Sequence, residues 1–179
     1  MANCPITSGR TEPCNDSIGG LDAFFAIPYI DDGFTISATN EVTAISVAIT
    51  EAFKYELRAD ANILNSDGTS DENTGVSLFT ETLVVALKKQ DAATNVQVDL
   101  LQKGLHYIIG RNRNGGYQLM GSLDGARVTA SNIASGGART DFNGYNLTFT
   151  SYSRIPTPFL DSATITALLA IESATNINP

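Results

Sequence analysis

The sequence predicts a mainly β protein with some α (α+β): an antiparallel β-barrel or sandwich with one internal helix, a long hairpin loop and a C-terminal helix. Three observations carry that expectation. Residues 53–61, FKYELRADA, alternate Phe53, Tyr55, Leu57, Ala59 and Ala61 with charged Lys54, Glu56, Arg58 and Asp60, the period of a strand with one wet face. Asn114-Gly115 separates LHYIIGR from YQLMG, and because both residues tolerate positive φ a hairpin with a type I′ turn is expected. Helical spacing is confined to residues 92–103 and 162–172, too little for a helical fold.

In chain order, IGGLDAFFAIPYI is a short apolar run between glycines and Pro28, read as a buried strand, although a buried helix shares that pattern. GFTISATNEVTAISVAIT is rich in Thr, Ile and Val, giving strand pieces around a turn near residues 39–41. After residues 53–61 comes NILNSDGTSDENTGVS, polar and without a core-forming period, read as the loop at the tip of a large hairpin spanning residues 53–89. A loop that long in a compact domain is uncommon unless it has a task. Asp91 stands where a helix N-cap should, Val96 and Leu100 follow at i, i+4, and Gly104 offers a stop. ARVTAS and YNLTFTSYSR are further strands, the second halted by Pro156 and Pro158. Ile165, Leu168, Leu169 and Glu172 then have helical spacing behind an Asp161 or Ser162 cap, a short amphipathic helix or an interface arm. No repeat or linker divides the 179 residues, which read as one domain: an N-terminal arm (1–20), a β core (21–158) and a C-terminal helix or arm (159–179).

The residue inventory argues against catalysis. With one histidine, a Ser or Cys triad would have to pass through His106, which lies among apolar neighbours and reads as a strand residue. There is no phosphate-binding loop, nucleophile elbow or H-E-x-x-H. Asp67, Asp71 and Glu72 cluster, as do Asp31 and Asp32, but neither set has calcium-loop spacing, so both read as solvated carboxylates. No catalytic residue, cofactor or metal ligand is assigned. Cys4 and Cys14, the only cysteines, are too few for a disulfide framework; a bridge between them and free thiols both stay open, and a reducing compartment is the default.

Nineteen acidic against eleven basic residues give a net charge of −8, which disfavours adhesion to nucleic acid. No window approaches a membrane span, so no membrane partner is expected. The N-terminal MANCPITSGRTEPC lacks a signal peptide's apolar centre, and the sequons at Asn15 and Asn146 read as accidental.

Several segments together resemble a known family. NCPITSGRTEPCNDSIGGLDAFF, AFKYELRADAN, FTETLVVALKK with the helix behind it, NRNGGYQLMGSLDGARVTAS, and GGARTDFNGYNLTFTSYSR with its prolines are similar to small virion proteins of tailed bacteriophages, of the tail tube kind. The likeness covers roughly residues 3–158; the stretch after Pro158 has no counterpart in it. It implies a β-barrel or sandwich subunit that self-assembles into rings, hexameric in expectation, stacked into a tube through which DNA passes without specific binding. Sheets would join edge to edge, and residues 62–77 would bridge subunits or rings. Other tail or head–tail proteins would be partners, with the virion tail as location and the host cytoplasm as the place of assembly. Expected contact residues are Asn65, Asp67, Asp71, Glu72 and Asn73 in that stretch, with Asp31, Asp32, Arg111 and Arg113. A head–tail ring or adaptor and a capsid decoration protein share the resemblance. From another class, a carbohydrate- or ligand-binding β-sandwich could use Tyr29, Tyr117, Tyr145 and Tyr152, although tyrosines at strand spacing commonly pack across strands.

Overall fold

The structure, a computed structural model, describes residues 6–173 and Ile177. The elements in chain order are β1 (Leu21–Pro28), β2 (Phe34–Ile36), β3 (Glu41–Ile45), β4 (Phe53–Glu56), β5 (Ile63–Asp71), β6 (Val76–Lys88), α1 (Ala92–Lys103), β7 (His106–Asn112), β8 (Tyr117–Met120), β9 (Arg127–Ala134), β10 (Gly144–Ser153), β11 (Phe159–Leu160) and α2 (Ser162–Ala170). They form a seven-stranded sheet ordered β2-β3-β11-β8-β7-β1-β4 and a four-stranded sheet ordered β5-β6-β10-β9. Every strand pairing is antiparallel except β11 with β3. The expected β-rich α+β class is present, but neither sheet closes into a barrel.

The apolar run of β1 is continuous because its strand is central and covered on both sides. Phe24 points into a core shared with the four-stranded sheet, among Ile108, Met120, Leu83, Val85, Leu147 and Phe149. Its ring stacks on Tyr55 at 4.7 Å and tilts against Phe149 at 5.9 Å. Phe25 points the other way, into a second core with Ile27, Tyr107, Ile109 and Leu119 that α2 covers through Leu168. Burying each such side chain contributes roughly 1.5–3 kcal/mol.

Both helices start as their caps dictate. Asp91 accepts from the Thr94 N–H at 2.8 Å and Asp161 from the Thr164 N–H at 2.7 Å. The buried face of α1 is not the expected one: Val98 and Leu101 enter the core, while Val96 and Leu100 are exposed. The C-terminal helix packs on β3, where Thr164 Oγ1 donates to the Val42 carbonyl at 3.1 Å.

Three further expectations are corrected. Residues 53–89 are not one hairpin: β4 pairs with β1 in the larger sheet, and the chain then crosses to the smaller one. Buried Asn62 pins that crossing, donating to the Ala59 carbonyl at 2.7 Å and accepting from the Ala86 N–H at 2.9 Å. The long polar loop is largely strand, with β5 and β6 in register from Ile63–Val84 to Asp71–Val76 and only residues 72–75 as the turn. The Asn-Gly hairpin forms, but not through a type I′ turn, since Arg113 and Asn114 keep negative φ and only Gly115 is left-handed at +85°. A turn followed by a left-handed glycine is another common hairpin connection.

Candidate assembly surface

The hairpin of β5 and β6 overhangs the molecule. The Glu81 side chain anchors its base: its Oε2 accepts from the Gly121 N–H at 2.9 Å, at the end of β8, and from Ser151 Oγ at 2.6 Å on β10, which stays paired with β6 as far as Phe79. Residues 67–77 are exposed on both faces, and beyond the Gly68–Phe79 pair only β5 and β6 remain. A two-stranded ribbon with no covered face is marginal by itself. Two local devices stiffen this one. The Phe79 ring lies across Gly68 on the partner strand, so close that a Cβ there would sit 2.9 Å from it. At the tip, Asp71 accepts from the Asn73 N–H at 2.8 Å and Gly75 turns at φ +66°. That backbone hydrogen bond holds the Asp71 carboxyl below its usual range, so the tip keeps its negative charge.

The outward face of the four-stranded sheet follows from its register. Leu83, Val85, Leu147 and Phe149 point inward, so their alternating neighbours point out. Cross-strand rows on that face read Ala86, Asn146, Asn132; then Ile63, Val84, Thr148, Ala130; then Asn65, Thr82, Thr150; then Asp67, Thr80, Tyr152. Charge stands only at the margins, in Asp67, Lys88 and Arg127. Thr129, at the β9 bulge, bonds Thr150 hydroxyl to hydroxyl at 2.9 Å. Apart from those margins, uncharged side chains, threonine prominent among them, cover this face, where solvated surfaces ordinarily intersperse charges of both signs. β5 and β9 flank it as the sheet's two edges.

The residues expected at contacts fall at opposite ends. Asp67, Asp71, Glu72 and Asn73 line the overhanging hairpin, and Asn65 lies nearer its base on the outward face. Asp31 and Asp32 follow β1, whose Pro28 pairs with His106, and so share the end marked by Gly121. There Tyr107 Oη donates to the Ile30 carbonyl at 2.6 Å and accepts from the Gly33 N–H at 3.2 Å, with Asp32 left-handed at φ +54°. Arg111 and Arg113 are at the other end and find partners within the chain. Arg111 makes a two-point contact with Asp22, at 2.7 and 2.5 Å, and Arg113 meets Asp60 at 3.2 Å. The Arg111 guanidinium holds the Asp22 carboxyl below its usual range. Cys4, and with it any pairing to Cys14, lies outside the described residues; Cys14 is exposed.

The four tyrosines of the ligand-binding alternative do not converge. Tyr117 and Tyr145 are buried, the latter with its hydroxyl shared between the Asp91 carbonyl and Asn95 Oδ1 as acceptors. Tyr29 packs on Tyr107 at 4.8 Å and donates to the Leu123 carbonyl, and Tyr152 alone is well exposed. Among the described residues no His, Cys, Asp and Glu side chains group in a way that could hold a metal ion, and no helix is long and apolar enough to cross a membrane. His106 opens β7, and burial pushes its imidazole down from its ordinary range.

Sequence reasoning missed two features of this surface. The paired threonines are visible as T-x-T in FTETL and LTFTS, but only the register puts them on one face. Glu81 is the single fully buried carboxylate of the second sheet, and nothing in its local sequence separates it from a solvated strand residue. Compared with protein-family models, curated proteins and solved structures, the chain matches none.

Proposed function

We propose that the chain is a structural, self-assembling subunit of the tail tube kind, whose copies join into rings that stack into a tube for the passage of DNA. The observation that carries this reading is the four-stranded sheet: one threonine-rich face with charge only at its margins, two open edges, and a hairpin that overhangs the body with neither side covered. A long open edge is a hazard in a monomer and a contact surface in an assembly. Pairing β5 of one copy with β9 of the next is heterologous, the kind of contact that closes into a ring when its rotation permits. Hairpin residues 67–77 then reach an adjacent copy and are ordered by it. The acidic tip and the net charge of −8 suit a conduit that DNA passes without adhering. The work of such a subunit is geometric and needs no nucleophile. Its place is the virion tail.

Electron microscopy of concentrated protein tests the reading. Tubes of uniform width are expected from the full chain. Replacing residues 70–77 by a two-residue turn, which keeps the Thr69–Leu78 pair in register, is expected to leave a folded subunit that no longer stacks. Unimpaired tubes from that variant would remove the hairpin from the account.

A further inference from the structure

The Asn114-Gly115 turn has a feature the assembly reading does not use. The turn is closed by Asn112: its Oδ1 accepts from the N–H groups of Asn114 at 3.1 Å and Gly116 at 2.8 Å, and its carbonyl accepts from the Gly115 N–H at 3.0 Å. The Asn114 carboxamide is therefore not needed to hold the turn. It reaches instead to the N-terminal arm, where Oδ1 accepts from the Ile18 N–H at 2.9 Å and Nδ2 donates to Ser17 Oγ at 3.0 Å. Among the described residues, the hydrogen bonds that tie residues 6–18 to the rest of the fold all run through this one side chain. The next tie, from the Arg113 N–H to the Gly20 carbonyl at 3.1 Å, lies beyond the arm.

We propose that Asn114 is a deamidation site gated by the N-terminal arm: the docked arm protects it, and isoaspartate formation there keeps the arm from docking again. The main-chain nitrogen of Gly115 attacks Cγ of Asn114, a C–N bond forms, and the carboxamide nitrogen leaves as ammonia. Water then opens the cyclic imide at one of its two carbonyls, giving aspartate or isoaspartate. Glycine, lacking a Cβ, leaves its nitrogen least obstructed. In the docked state both heteroatoms of the carboxamide are engaged, and ring closure must break both contacts. Undocking removes that restraint and leaves only the bond from the Gly115 N–H to Asn112.

The two products differ in consequence. Aspartate at position 114 keeps an oxygen for the Ile18 N–H, and the Ser17 hydroxyl turns from acceptor to donor, so the arm stays. Isoaspartate adds a methylene to the main chain and relocates the carboxylate, so both contacts are lost. The inference does not depend on the assembly reading, because it concerns the single subunit.

The test is incubation of purified chain in mildly alkaline buffer, with peptide mapping at Asn114. The chain lacking residues 1–18, and separately Ile18→Pro, is expected to convert several-fold faster than the full chain, while Asn114→Gln stays unconverted over the same period. Hydrogen exchange at the Ile18 amide is expected to remain slow in Asn114→Asp and to become fast in the isoaspartyl fraction. Equal conversion rates with and without the arm would overturn the gating. Unchanged Ile18 protection in the isoaspartyl fraction would overturn the release.

Discussion

In the seven-stranded sheet, β1 and β7 bury side chains on both faces, with Phe24 and Ile108 toward one core and Phe25 and Ile109 toward the other. In the four-stranded sheet only one face is covered, and at its β5–β6 end neither is. One chain thus contains a sheet held by packing and a sheet whose far part is held by main-chain pairing with two local side-chain contacts. The contrast separates two demands on sequence. Packing asks for an unbroken apolar run over residues 23–27 of β1; pairing without packing tolerates NSDGTSD in β5. A polar strand that nothing covers has stability to spare only if its neighbours in the sheet, or a second molecule, supply it.

Substitutions in the two sheets should therefore differ in kind, and the largest effect is expected where both sheets meet. Phe24→Ala empties a site between Tyr55 and Phe149 and is expected to cost about 3–5 kcal/mol in denaturant unfolding. A loss under about 1 kcal/mol would show that the sheets do not share a core there. Next comes Arg111→Ala, which leaves Asp22 without its two-point partner. Because the pair is about one-third exposed, a loss of roughly 1–2 kcal/mol is expected, reduced at high salt.

Glu81 gives a smaller effect with a defined pH sign. Burial raises its carboxyl above the ordinary value of 4.5, against the opposing hydrogen bonds from Ser151 and Gly121. A raised folded-state value means that stability is fully present below the unfolded value and is lost as pH climbs from about 4.5 through the raised one. Glu81→Gln keeps the shape and an acceptor oxygen without the charge, so urea midpoints measured across that window should lose this part of their pH slope. An unchanged slope would show that the carboxylate is not desolvated. The smallest stability change belongs to the outward face: Thr80→Lys with Thr82→Lys should stay within about 0.5 kcal/mol per site in the monomer. The same pair is expected to abolish self-association, measured by sedimentation, which would make the face a contact surface and not a supporting one.

What was legible in the sequence follows the same division. β1, β10, the Asn-Gly hairpin and both helix starts were readable because apolar periods, glycine and the caps Asp91 and Asp161 act over a few residues. β5 was not, because a strand exposed on both faces has no apolar period to read, and so it passed for a loop. Val96 and Leu100 suggested the wrong face of α1, since the shift of one or two residues to Val98 and Leu101 is decided by the core and not by the helix. The acidic cluster of Asp67, Asp71 and Glu72 was visible as an exposed group, but its position on a projecting ribbon was not. The partners of Arg111 and Arg113 stand 89 and 53 residues away, a distance over which local pattern carries no signal.

The most direct measurement is cryo-electron microscopy of the concentrated full-length chain beside the Thr80→Lys, Thr82→Lys variant. The account predicts rings or stacked tubes of constant width from the former, with β5 of each subunit beside β9 of its neighbour, and dispersed folded subunits from the latter. Dispersed single subunits in both samples would contradict it.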